Sequence, residues 1–70
     1  MKIVLKDRTS GRFLGEAHEW TTRAEEALDF GCSDAAMVAS EAHQLADPAL
    51  VFCFERQGYS ITVPLRRAAP

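Results

Sequence analysis

The sequence predicts an α+β protein: a two-layer sandwich in which two β-hairpins merge into one antiparallel sheet. A helical segment packs on one face, in the order β-β-α-α-β-β. Three observations predict it. Apolar and polar residues alternate near both ends of the chain, the period of a half-buried strand. Alanines recur at helical spacing in the middle. Gly11 and Gly58 stand between alternating runs, where a hairpin loop needs a residue free to take a positive φ.

In chain order, Lys2 to Lys6 reads as the first strand, with Ile3 and Leu5 on one face and Lys2, Val4 and Lys6 on the other. Asp7 to Gly11 is turn chemistry. Arg12 to Glu16 returns as the second strand, with either Phe13 or Leu14 opposite Leu5. Ala17 to Trp20 connects. Thr22 and Glu25 have the spacing of a capping box for a short helix over 23–29. Ser33 caps a longer helix running from Asp34 to about Ala46. Its apolar stripe is Ala35, Val38, Ala42 and Leu45, with Ala39 and Ala46 at the margin. Asp47-Pro48 ends it, because a residue before proline is pushed out of the helical region.

The last third alternates most cleanly. Leu50, Phe52 and Phe54 face one way, then Tyr59, Ile61, Val63 and Leu65 after a turn. A two-residue loop opposes Phe54 to Ile61, and a four-residue loop opposes it to Tyr59. Both keep one apolar face. Pro64 cannot donate to a ladder, which places the final strand at an edge or frays it there. Residues 1–67 form one domain, and Ala68, Ala69 and Pro70 fray.

Seventy residues allow one small domain, whose single core seldom contributes more than about 3–5 kcal/mol. At 47% hydrophobic and 26% charged residues, wholesale disorder is excluded. No apolar run approaches the roughly 20 residues that cross a bilayer, and the apolar stretch after Lys2 is too short for a secretory leader. The expected compartment is the cytosol, with no membrane partner. The net charge of −2 hides a segregation. Residues 16–47 carry −7, and the two flanks carry +5. Two readings fit: complementary layers or solvated rims within the molecule, or a basic sheet surface for an anionic partner.

Cys32 and Cys53 form no CxxC pair and read as reduced, buried thiols. Cys32, Cys53, His18 and His43 share no ligand-like spacing, so neither metal nor cofactor is expected. The four glycines form no phosphate-binding string. Cys53 and His43 fall on opposite sides of the sheet, and Glu25 and Glu26 diverge on their turn. No catalytic residue stands out, and the chain does not read as an enzyme.

The stretch Phe13-Leu14, Trp20-Thr21, Ala27, Phe30, Ser33 and Ala36 resembles a family of small uncharacterised bacterial proteins. Its members show an aromatic-Leu strand, then Trp-Thr, Ala-x-x-Phe and a Ser-capped helix with an early Ala. The likeness covers about residues 12–40. This chain departs from it in Gly31-Cys32 and in a longer C-terminal hairpin. The resemblance implies a compact hairpin-plus-helix domain and carries over no activity. The basic first strand, the Gly-bearing hairpin and Thr22…Glu25-Glu26-Ala27 are also similar to the antitoxin half of small toxin–antitoxin pairs. The third strand those proteins place before the helix is not evident.

The functional expectation is an interaction module. A helix on one side leaves the other sheet face bare, and that face or a strand edge meets a protein partner or a second copy. The expected surface comprises Lys2, Val4, Lys6, Arg12, Val51, Cys53, Arg56, Thr62 and Arg66. The alternatives are a nucleic-acid-binding accessory protein using the basic members of that set, and an antitoxin-like regulator.

Overall fold

A computed structural model describes residues 1–65. The elements are β1 (Lys2–Asp7), β2 (Arg12–Leu14), β3 (Trp20–Thr21), a 3-10 turn (Ala24–Glu26), α1 (Ser33–Ala42), β4 (Pro48–Phe54) and β5 (Tyr59–Pro64). One five-stranded sheet has the order β3-β2-β1-β4-β5, antiparallel throughout. The two hairpins do merge, through β1 and β4. The order nevertheless differs from the expected one: β3 is an added strand, and α1 is the one α-helix among the described residues. The tail expected to fray, and Arg66 and Arg67 before it, lie outside those residues.

Side-chain chemistry at Asp7 builds the first loop. Its carboxylate accepts the Thr9 N–H at 3.1 Å and the Ser10 hydroxyl at 3.0 Å, while its carbonyl accepts the Gly11 N–H at 2.8 Å. Gly11 sits at φ 76. The register opposes Lys6 to Phe13, which leaves Leu14 opposite Leu5 on the same face. At the other hairpin Phe54 opposes Tyr59, so the four-residue loop forms.

The expected helix over 23–29 is a single 3-10 turn instead. Thr21, not Thr22, organises it: Thr21 Oγ1 accepts the Arg23 N–H at 3.1 Å and donates to Glu26 at 2.9 Å. The backbone beyond is taken by the sheet. Ala27 bridges to Gly15, the Leu28 N–H donates to the Leu14 carbonyl at 2.9 Å, and the Phe30 N–H donates to the Ile3 carbonyl at 2.9 Å. Because β2 is only three residues long, the N-terminal half of β1 has an open edge, and this segment fills it. The chain thereby passes from one sheet face to the other.

Asp29 secures that crossing. Its carboxylate accepts the Ile3 N–H at 3.1 Å and the Gly31 N–H at 3.0 Å. These two donors hold its pKa below the ordinary carboxylate value. A depressed folded-state pKa stabilises the fold above the unfolded pKa, near 3.8, and that contribution disappears as pH falls through the lower folded value. Asp29→Ala is therefore expected to lower Tm at pH 7 and to narrow the difference from wild type at acid pH. Melting curves from pH 7 to pH 2 read this out; a constant difference would refute it.

The helix stops earlier and faces differently than its sequence suggests. It ends at Ala42, with the Gln44 N–H donating to the Glu41 carbonyl (3.1 Å) and the Leu45 N–H to the Ser40 carbonyl (3.3 Å). That pair of bonds is a Schellman motif, and its left-handed residue is Gln44 at φ 52, not a glycine. Gln44→Gly is expected to stabilise the fold by up to about 1 kcal/mol by relieving the Cβ clash. A rise in the urea midpoint at unchanged m-value checks it. The buried positions are Ala36 and Ser40, with Ala39 half-buried. Ala35 and Ala42 are exposed and Val38 is 66% exposed, against the expected stripe. Phe30 before the helix and Leu45 after it both enter the core, and these two anchors set its rotation. Ser40 tolerates burial because its hydroxyl donates to the Met37 carbonyl at 2.8 Å.

Two apolar clusters result. On the helix side Ile3, Leu5, Leu14, Leu45 and Leu50 pack with Ala36, bordered by Trp20, Phe30 and Phe52. On the opposite side Val4, Ala27 and Val51 form a smaller one, bordered by Phe13 and Cys53.

Candidate functional site

The expected bare sheet face is not bare. Val4 is fully buried and Val51 nearly so, because the crossing segment lays Ala27 over them. Lys2 is half-buried, and its ammonium donates to the carbonyls of Ala24 and Glu25 at 3.3 and 3.5 Å, tying down the same segment. Lys6 lies 5.6 Å from the centre of the Phe13 ring. Cys53 is half-buried beside the smaller cluster. Cys32, expected to be buried, is exposed at the start of α1. Of the expected surface, Arg12, Arg56 and Thr62 are exposed, and Arg66 lies outside the described residues.

Among the described residues the basic members do not form one patch. Lys2 and Arg56 line a cleft of about 580 Å³ together with Asp29 and Glu55. Arg12 lines another of about 260 Å³ with Asp7, Trp20 and His43. Lys2 and Arg12 stand at opposite ends of β1, because Arg12 pairs with Asp7. At about 3.3 Å per residue, five steps along β1 separate them by roughly 16 Å. Each cleft also holds at least one carboxylate that offsets its cations.

Trp20 and His43 of the second cleft belong to an arrangement that sequence reasoning missed. The rings of His18 and His43 stack at 6.0 Å, and Trp20 meets His43 edge-on at 5.7 Å. Twenty-five positions separate the two histidines, so no local pattern announces the meeting. No cluster of three or more metal-ligating side chains exists among the described residues.

What remains open is β5. All six of its residues are exposed. Its ladder to β4 alternates, and the Leu65 N–H donates to the Pro48 carbonyl at 2.9 Å. By that alternation Val63, Ile61 and Tyr59 aim their backbone groups at β4, whereas Ser60 and Thr62 aim theirs outward. Pro64 falls on the outward side, where its missing N–H costs the β4 ladder nothing. Tyr59, Ile61 and Val63 point to the helix side and are 54%, 47% and 41% exposed. The ring of Tyr59 stacks on Phe54 at 5.1 Å.

Helix width explains the exposure. A helix about 10 Å across covers roughly two strands spaced about 4.8 Å apart. Helix α1 sits over β1 and β4, and β5 lies beyond its reach. Of the usual protections of an edge, β5 has Pro64 at its end but no charged residue. The opposite edge differs: β3 is two residues long.

Fold and site together define a small α+β protein with one short and one long, exposed sheet edge. No family model, curated protein or solved structure matches the chain. The reading of its role therefore rests on its own geometry.

Proposed function

We propose that the chain is a small, non-enzymatic protein-binding module whose contact element is the outer edge of β5. A partner strand adds to the sheet there. Its backbone bonds to Ser60 and Thr62, and its alternate side chains cover Tyr59, Ile61 and Val63. The observation that carries this reading is the exposure of every β5 residue together with the absence of any charge on the strand. Of the two routes the sequence suggested, a sheet face or a strand edge, burial of Val4 and Val51 favours the edge.

The amide hydrogens of Ser60 and Thr62 provide the test. They point away from β4, so they exchange freely unless a strand is added. In native extract of the source cells both are expected to slow at least tenfold relative to an Ile61→Lys variant. Free exchange of both amides in extract would refute the reading.

An antitoxin-like regulator is a special case, in which the added strand belongs to a small toxin. Strand β3 bears on it, since it supplies the strand before the helix that the sequence did not make evident. The nucleic-acid alternative loses support because Lys2 and Arg56 line one cleft and Arg12 another, each beside at least one carboxylate.

A further inference from the structure

Resting on that reading of β5, we infer that the strand added to β5 is β5 of a second copy of this chain. The two copies form a closed dimer with Ile61 on the twofold axis. An antiparallel strand related by a twofold perpendicular to the sheet keeps both helices on one side and gives a ten-stranded sheet. Centring the axis on Ile61 opposes Ser60 to Thr62 of the partner subunit, and Tyr59 to the partner's Val63. Ser60 and Thr62 are the outward-facing residues, so each such pair exchanges two N–H···O bonds, four across the interface.

Ile61 meets the partner's Ile61 at a non-hydrogen-bonded position, where Cα atoms approach to about 4.5 Å and side chains pack closest. The neighbouring registers are worse. Centring on Thr62 brings the Pro64 ring against the partner's Ser60 carbonyl, where a donor is needed. Centring on Ser60 sets Thr62 against Gly58 of the partner subunit, whose N–H is already given to the Phe54 carbonyl at 3.0 Å.

Charge favours a second copy as the occupant. The strand meets itself without any like-charge pair, because it carries none. Size fixes the character of the contact. Three half-exposed apolar side chains per copy and four backbone bonds lie at or below the about 1,000 Å² that a stable interface requires. The dimer is therefore concentration dependent. It also terminates, because the other edge, β3, is too short to continue the sheet.

The experiment is sedimentation of the purified chain from about 10 μM to 1 mM, with amide exchange at both ends of that range. A rise from one to two subunits is expected, with Ser60 and Thr62 amides slowing as it occurs. Ile61→Lys and Ile61→Glu each place like charges on the axis and are expected to remain monomeric; far-UV circular dichroism verifies that both are folded. Mixed in equal amounts, the two variants are expected to recover the dimer. A monomer throughout, an assembly larger than two, or mixed variants that stay apart would overturn the proposal. If the purified chain stays monomeric but Ser60 and Thr62 are protected in extract, the second copy is the wrong occupant and the binding edge stands. If they are unprotected in both, the edge reading fails too.

Discussion

Replacing Leu5 by alanine is expected to leave most of the chain unfolded at 25 °C. Leu5 is fully buried in the central strand, opposite Leu50 and in the helix-side cluster with Ile3, Leu14 and Ala36. A buried Leu→Ala change costs about 2–5 kcal/mol, through lost transfer energy and the cavity left behind. A core of this size seldom contributes more than about 3–5 kcal/mol in all. The two ranges overlap, so one cavity consumes the stability. Strands on both sides hold β1 in register, which prevents the site from collapsing around the hole. Circular dichroism during urea titration reads the result. A cooperative transition within a few tenths molar of the wild-type midpoint would contradict it.

The second large effect concerns the rotation of α1. Ala36→Leu is expected to cost about 1–3 kcal/mol, because Ala36 is fully buried against the sheet and three extra carbons have no space there. Val38→Glu is expected to change stability by no more than about 0.5 kcal/mol, since Val38 points to solvent. The periodic pattern of the sequence assigns the opposite roles, with Val38 in the core stripe. Urea midpoints of the two variants therefore discriminate between the rotations. A costly Val38→Glu beside a neutral Ala36→Leu would place the other face of α1 on the sheet.

Why the helix pattern misleads is visible in its residues. The stretch from Ser33 to Ala42 holds four alanines beside single Met and Val residues, so no face is strongly apolar and several rotations look alike. Phe30 and Leu45 choose among them. Both lie outside the helix and are read as helix-side core only once the chain path is known. The stop at Ala42 has a similar origin. Gln44 takes the left-handed conformation without being a glycine because burial of Leu45 offsets the strain.

The candidate edge was half legible. Alternation through Tyr59, Ile61 and Val63 announced a strand, and Pro64 announced its edge position. The same alternation suggested that this apolar row lies under the helix, and there the three side chains stand half in water. The bare face expected around Val4 failed for a related reason. Residues 23–29 look like a helix in isolation, yet the Leu28 and Phe30 N–H groups bind the Leu14 and Ile3 carbonyls, and the segment carries Ala27 across that face.

Sequence alone determined that the segments of β1, β2, β4 and β5 extend, where the two hairpins turn and that they share a sheet. Those features depend on side-chain alternation and backbone preference within a few residues, and each is written in the chain where it acts. Only the tertiary structure decided which strands are covered, how α1 is rotated and that β5 is left open. Coverage is set by the width of one helix against the width of five strands, and no local residue pattern encodes that ratio.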